Sequence, residues 1–327
     1  MFTNKTVLIT GGTGSFGRNF TKFIYDNYNP KKIIIFSRDE NKQFRMAQHF
    51  SDSKGILRFF IGDVRDQERL ERAFNGVDIV VHAAALKQIP ILEYNPFEAV
   101  KTNILGSKNV INAAINQQVE RVVLISTDKA CQPVNLYGST KLCAEKLFIN
   151  GNLYSTGKTR FSCVRYGNVL GSRGSIVETL IKKQFNGNIK ITDERMTRFW
   201  ITLRQSFELV LFALENMQGG EIFIPKIPSM KLVDLFNALA PNVTREIIGI
   251  RPGEKLHEML VSKEESRHAL ELEKYFVVLP EYQELFELNK FYEHYHNSRK
   301  LPEDFYFSSD TNSQWLTIKD LRKMLVR

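Results

Sequence analysis

Cysteine is scarce in this sequence. Its 327 residues hold three, Cys131, Cys143 and Cys163, and no two of them stand in a C-x-x-C spacing. An odd, scattered set excludes a disulfide framework and reads as reduced thiols in a cytoplasmic protein. The six histidines show no H-E-x-x-H or other ligand spacing, so no metal is expected. No apolar run reaches the length of a membrane span. The start, MFTNKTVLITGG, lacks the cationic stretch and small-residue cleavage site of a secretory signal, so no membrane association is expected. The formal charge of +9 comes without a basic run or an aromatic-rich basic motif, because Lys and Arg are interleaved with Asp and Glu. That pattern argues against nucleic acid and suits a smaller anion such as a nucleotide diphosphate.

What is present is an ordinary globular composition, 43% hydrophobic and 25% charged. Short runs rich in Val, Ile and Phe recur: TVLIT, KIIIFS, LRFFIGDV, DIVVHAAA, RVVLIST and FSCVRYGNV. They do not alternate, as expected of strands covered on both faces. Helix-length segments such as SFGRNFTKFIYDNY and TNILGSKNVINAAINQQ separate them. The pattern predicts an α/β fold with a doubly wound parallel sheet, a Rossmann domain over residues 1–165. Residues 166–327 read mainly as a smaller C-terminal substrate-binding lobe, with a stretch near 200–225 returning to the first domain. The polar, aromatic tail after about Tyr282 reads as helical packing or an oligomer contact.

VLITGGTGSFGRNF puts a glycine-rich turn between the first strand and a helix. Gly11, Gly14 and Gly17 allow a tight turn and close approach of backbone to a pyrophosphate at the helix N-terminus. Ser15, Phe16 and Arg18 belong to the same expected dinucleotide site. A lone glycine motif is weak evidence; the strand-turn-helix context strengthens it. At the end of the second strand Ser37 and Arg38 replace the usual carboxylate, and Lys42 follows. A hydroxyl plus cations suits the 2′-phosphate of NADP, although the nearby Asp39 counts against it. Asp63 and Val64 are expected at the adenine end. The small Ala83, Ala84 and Ala85 let the chain pass close to the dinucleotide, and Lys101 and Val169 complete the expected set.

Tyr137 and Lys141, four residues apart, share a helix face. A nearby ammonium lowers the tyrosine pKa, so the phenolate can take a proton from a sugar hydroxyl. YxxxK alone would describe any amphipathic helix; its place after a buried fifth strand makes it a site. Asp128 and Lys129 just before it are a pair that simple hydride transfer does not require. By themselves they could be a cap and a phosphate contact. His82, at a strand end, reads as structural.

With the glycine turn, the fifth-strand Ser/Thr and YGSTK, the chain resembles the extended short-chain dehydrogenase/reductase superfamily. Within it, STDKACQPVNLYGSTKLCAEKLF, VRYGNVLGSRGS, TDERMTRFWIT and IRPGEKLHEML resemble the UDP-N-acetylglucosamine 4,6-dehydratases that invert C5 and open the route to pseudaminic acid. Relatives acting on dTDP-glucose carry Asp-Glu in place of Asp128-Lys129. Capsule and O-antigen relatives with the Asp-Lys pair have methionine in place of Tyr137. The resemblance implies a redox-neutral reaction on a UDP-sugar with NADP. Tyr137, helped by Lys141 and Thr127, assists oxidation at C4. Lys129, its pKa lowered by desolvation and neighbouring cations, removes the C5 proton, and Asp128 protonates the leaving C6 hydroxyl. The resemblance also brings Lys87, Asn168 and Arg173 to the substrate, Arg198 and Arg251 to its diphosphate, Glu254 to its ribose, and Thr192 near the nucleotide. It implies a homo-oligomer, dimer or hexamer. Two other readings stay open: a nucleotide-sugar 4-epimerase or reductase using the same Tyr137 and Lys141, and an NADP-binding regulator without turnover.

Overall fold

The structure, a computed structural model, describes residues 1–50, 52–172, 175–182, 189–241, 243–282 and 284–325. Six parallel strands form its centre: β1 (Thr6–Thr10), β2 (Lys32–Ser37), β3 (Leu57–Ile61), β4 (Ile79–His82), β5 (Arg121–Ile125) and β6 (Arg160–Val164). They lie in the order 3-2-1-4-5-6, the doubly wound arrangement in which the chain reverses direction between β1 and β4. Every residue of β1 and β4 is buried, which explains why these strands read as unbroken apolar runs rather than alternating ones.

Helices α1 (Ser15–Asn27), α2 (Glu40–His49), α3 (Gln67–Phe74), α4 (Ile89–Tyr94), α5 (Pro96–Ala99), α6 (Gly106–Asn116) and α7 (Leu136–Tyr154) fill the connections. A wide π turn, Val100–Leu105, leads into α6 where the sequence predicts one continuous helix. In α1 the apolar positions Phe20, Ile24 and Tyr25 recur at helical spacing and are buried.

The run FSCVRYGNV reads as one strand; the structure divides it. β6 ends at Val164, and β7 (Asn168–Val169) leaves the main sheet to pair with another strand. The break has two causes. Arg165 is fully buried and turns toward Glu145 and Glu265, and Gly167 passes so close to Phe199 that a Cβ there would stand 2.5 Å from the Phe199 side chain.

Beyond β7 come α8 (Ile176–Ile181), β8 (Ile189–Ile191), β9 (Thr197–Ile201), α9 (Leu203–Asn216), β10 (Ile222–Pro225), β11 (Ser229–Lys231), α10 (Leu232–Leu239) and β12 (Arg245–Ile247). β10 joins the main sheet parallel to β6, and α9 packs against β5, β6 and α1. β13 (Met259–Val261), α11 (Lys263–Ser266), β14 (Ala269–Glu271), β15 (Tyr275–Val278), α12 (Leu288–His294), β16 (Arg299–Lys300), β17 (Phe307–Ser308) and α13 (Ile318–Leu325) complete the chain. β15, β14 and β16 extend the main sheet antiparallel beyond β10. A second, smaller core gathers Leu170, Val177, Trp200, Met230, Phe236 and Leu321 away from the main one. The tail therefore packs on both cores: Leu321 of α13 is buried in the second, and the Tyr295 hydroxyl donates to Glu221 at 3.0 Å beneath the main sheet edge. The glycine turn follows the carboxyl end of β1, the alanine segment that of β4, and the Thr127–Lys129 turn that of β5, where open sheets of this kind bind ligands.

Candidate active site

The glycine turn abuts the segment after β4. Gly11 has φ +64°, and a Cβ there would stand 2.8 Å from the Ala84 amide nitrogen, so only a hydrogen fits between turn and alanine segment. α1 follows Gly14 without a side-chain cap and with no acidic residue in its first turn, so the positive end of its dipole is not offset where an anion would sit. A close backbone cradle and an uncapped helix start fit a dinucleotide pyrophosphate. Phe16 turns its ring to Phe20 and Phe207, 5.2 and 5.5 Å away, so it is packing that orients this turn. Ser15 opens the helix, and Arg18 is exposed one turn later.

At the end of β2 the Ser37 hydroxyl is buried against Gln43 Nε2 at 3.1 Å. Arg38 is exposed and leans toward Asp63, 3.7 Å away, while Arg65 grips the same carboxylate at 2.7 Å. Lys42 pairs with Asp39 at 2.7 Å, and Asp39 caps α2. Of the two cations singled out at this end, Arg38 is the less committed. Val64 is buried against α6, whose Gly106 would place a Cβ 2.8 Å from it. Lys101 pairs with Glu98 at 3.1 Å on the surface.

The chemical residues assemble at the end of β5. Thr127 caps a short 3-10 turn, Asp128–Ala130, and donates its hydroxyl to Asp128 Oδ1 at 2.9 Å. The Lys129 ammonium donates to the same oxygen at 3.0 Å. α7 follows, capped by Asn135, which accepts from the Gly138 amide at 2.8 Å and donates to the Gly253 carbonyl at 2.8 Å. Gly138 lets the helix lie against the turn: a Cβ there would come within 2.2 Å of the Lys129 carbonyl oxygen. Tyr137 is thereby buried beside Thr127, Asp128 and Lys129. One turn on, Lys141 donates to the Ile125 carbonyl at 2.8 Å.

The electrostatics differ from the sequence expectation in two respects. Burial alone pulls the Lys129 ammonium down, but Asp128 and Glu258 outweigh it, even against Arg198, and hold Lys129 above the usual lysine range. Tyr137 is pushed up to about 12, chiefly by burial; the cation that opposes this is Lys129, not Lys141. Lys141 is itself brought down to about 8 by burial, against the pull of Glu145. Lys87, at the cleft, is lowered by partial burial and by the Lys129 ammonium. His82 is fully packed, with Thr10 Oγ1 at 2.7 Å, Ser107 Oγ at 3.2 Å and the Phe148 ring stacked on it.

The residues read as substrate ligands divide. Arg198 is buried, donating to the carbonyls of Thr197, Leu256 and Lys255 at 2.7, 3.1 and 3.0 Å, so its guanidinium braces the 255–258 segment. Arg251 is exposed at the start of that loop, with its amide directed at Glu254. Asn168 and Val169 lie on β7, paired with Trp200 and Ile201. Thr192 donates to the Met196 sulfur at 3.0 Å. Arg173 lies outside the described residues.

Three contributors were not legible in sequence. Glu258 is buried with Oε1 3.3 Å from Lys129 Nζ. Lys255 reaches across to the Cys131 carbonyl at 2.6 Å. Arg165 bridges Glu145 on α7 and Glu265 on α11 at 2.7 and 2.8 Å, with Cys131 against Glu265. Glu258 lies 129 positions beyond Lys129 in a charged motif, and only the return of β13 to the 128–130 turn brings them together.

The strand order, the glycine turn and the paired Tyr137 and Lys141 define a nicotinamide-dinucleotide fold of the extended short-chain dehydrogenase/reductase class. Residues 7–280 match the family described as polysaccharide biosynthesis protein, and the chain belongs to that family. It is 51% identical to a UDP-N-acetylglucosamine 4,6-dehydratase (inverting) of Campylobacter jejuni strain 81-176, over 98% of this chain and 97% of that one. It is also 45% identical to a UDP-glucose 4-epimerase of Rickettsia prowazekii, over 84% of this chain and 83% of that one. Among solved structures, Pen from Bacillus thuringiensis superposes with a TM-score of 0.89 at 38% identity, covering 100% of this chain and 98% of that one.

Proposed function

We propose that the chain is a UDP-N-acetylglucosamine 4,6-dehydratase that inverts C5, working with NADP and supplying the first step of pseudaminic acid biosynthesis in the cytoplasm. The observation that carries this reading is the Asp128–Lys129 pair beside Tyr137, a buried acid and a half-buried amine that oxidation and reduction at one carbon do not need. The glycine turn would hold NADP, with Arg38 favouring its 2′-phosphate, and the cofactor would supply a reversible store for the hydride that moves from C4 to C6.

The protein's own groups carry the protons. Tyr137 takes the C4 hydroxyl proton, with the Lys129 ammonium and the Thr127 hydroxyl stabilising its phenolate. The ketone at C4 acidifies the C5 hydrogen. Transfer of the Lys129 proton to Asp128, 3.0 Å away, leaves the amine neutral; it then removes the C5 proton, and the electron pair left at C5 expels the C6 hydroxyl as Asp128 gives that proton to it, so water leaves. A proton added to C5 from the opposite face gives the inverted 6-deoxy-4-keto sugar. Arg251 and Lys87 are the accessible cations for the diphosphate and sugar, with Arg173, Asn168, Thr192 and Glu254 as further ligands. Arg198 serves by bracing the 255–258 segment that follows Arg251 and Glu254.

The residues also support a homo-oligomer: Ile91, Tyr94 and Phe97 on α4 and α5 are 62%, 88% and 77% exposed, an apolar cluster adapted to a second copy.

The test is proton NMR of the product formed from UDP-N-acetylglucosamine in D2O. The expected product is a 4-keto-6-deoxy sugar of inverted C5 configuration with deuterium at C5. An epimer without a keto sugar would assign the Rickettsia relative's named activity instead. A protein that binds NADP and turns over no sugar would be a regulator.

A further inference from the structure

Resting on that reading, we propose that Glu258 is the positioning residue of the elimination step: with Asp128 it clamps the Lys129 amine from two sides and balances the charge that amine gives up and regains.

The geometry is specific. Lys129 Nζ lies 3.0 Å from Asp128 Oδ1 and 3.3 Å from Glu258 Oε1, so two elements distant in sequence each present one oxygen. The other oxygen of each carboxylate, Asp128 Oδ2 and Glu258 Oε2, is buried and accepts no hydrogen bond among the described residues. Native proteins rarely leave buried carboxylate oxygens in this state, and a role in moving protons is one of the few explanations for it. Glu258 is also held rigidly: its amide donates to Ser309 Oγ at 2.9 Å, and its carbonyl accepts from the Ser309 amide at 2.8 Å.

Charge is the second line of argument. A base must lose its proton, and a buried carboxylate paired only with that base would then be stranded. Glu258 is not. Arg198 Nε lies 3.9 Å from its Oε1 and Lys255 Nζ 3.8 Å from its Oε2, so two fixed cations remain when Lys129 becomes neutral. Lys129 itself is faced by Asp128, Glu258, Arg198, Tyr137 and Lys87. In this set Glu258 steadies the amine in both protonation states without touching the sugar.

Glu258→Gln keeps the shape and removes the charge. In the NADP holoenzyme, C4 oxidation, read as reduced-nicotinamide absorbance in a single turnover, should stay within about threefold of wild type. The KM for UDP-N-acetylglucosamine should do the same. Water loss and deuterium uptake at C5 should fall about 100-fold, the scale of a reacting group displaced by about 1 Å. Lys129 works as a base only when neutral, so the water-loss step, read apart from C4 oxidation, rises with pH toward the Lys129 pKa. Removing one of its two raising carboxylates should move that rise to lower pH by about one unit or more. Glu258→Asp should move the rise less and recover part of the rate.

An unmoved pH limb with all steps reduced together would make Glu258 merely structural and overturn the inference, as would wild-type water loss. If Glu258→Gln does not fold, Glu258→Asp decides alone, since a wild-type profile there overturns the proposal. Lys129→Ala run in parallel separates the two claims. If it loses water normally, the reading of Lys129 as base fails; if it is inactive while Glu258→Gln is normal, only the role of Glu258 fails.

Discussion

Consider Gly138→Ala, a single methyl added in the first turn of α7. In an unencumbered helix, alanine for glycine stabilises by up to about 1 kcal/mol. Here the new Cβ would meet the Lys129 carbonyl oxygen at 2.2 Å and the Pro133 side chain at 3.0 Å, against an ordinary contact of 3.4 Å or more. The first obstacle is backbone, which cannot swing aside, so helix and catalytic turn must separate by about 1 Å. Overpacking of this kind costs about 1–3 kcal/mol, and the net effect after the propensity gain is a loss of about 0–2 kcal/mol. The effect on turnover should be far larger, because the separation opens between Tyr137 on one side and Asp128–Lys129 on the other. A displacement of about 1 Å between reacting groups lowers the rate about 100-fold. Urea melts would measure the first quantity and water loss from UDP-N-acetylglucosamine the second. A Gly138→Ala enzyme with turnover within threefold of wild type would refute the claim that this glycine sets the distance between the redox and elimination groups.

Three further expectations follow from the same geometry. Tyr137→Phe should abolish C4 oxidation, lowering turnover by about 10²–10⁴ while NADP still binds, as measured by single-turnover absorbance and cofactor titration. Arg38→Ala should weaken NADP relative to NAD by about tenfold or more in paired titrations, because a charge-assisted contact to the 2′-phosphate is lost; an unchanged ratio would remove Arg38 from cofactor choice. His82, buried and brought down to about 3 by burial first and Lys141 second, binds fewer protons folded than unfolded. Its contribution is intact above about pH 6.5 and is lost as pH falls toward 3, on the order of 5 kcal/mol in all, so His82→Asn should flatten stability against pH in that window.

The parallel strands were legible because burial on both faces leaves a plain apolar run; KIIIFS appears as β2 residue for residue. The glycine turn and the Tyr137–Lys141 helix were legible for a similar reason, since each is a local pattern inside one element. Legibility ended where a residue's role depends on a distant one. Arg165 reads as the middle of a strand, yet burying its guanidinium between Glu145 and Glu265 ends β6 and sends β7 into another sheet. Arg198 reads as a free diphosphate ligand until three carbonyls of its surroundings take up its donors. The sign of the Lys129 shift rests on two contacts that sequence does not show, the Asp128 side chain folding back onto its neighbour's ammonium and Glu258 arriving from far along the chain, whereas desolvation is inferred from the neighbouring apolar strand.

That sign bears on how one lysine could serve both halves of the proposed reaction. A lysine whose resting pKa lies above normal looks unfit as a base, but oxidation comes first and needs a cation. Lys129, not Lys141, is the ammonium that opposes the burial of Tyr137 and favours its phenolate. When Tyr137 takes the C4 hydroxyl proton it becomes neutral phenol and no longer draws on that cation. Lys129 can then pass its proton to Asp128, 3.0 Å away, as the C4 ketone makes the C5 hydrogen removable. Asp128 and Glu258 stay in place on either side, and Arg198 and Lys255 keep Glu258 balanced. The raised resting pKa and the later basic role are then two stages of one charge cycle, ordered by the protonation of Tyr137.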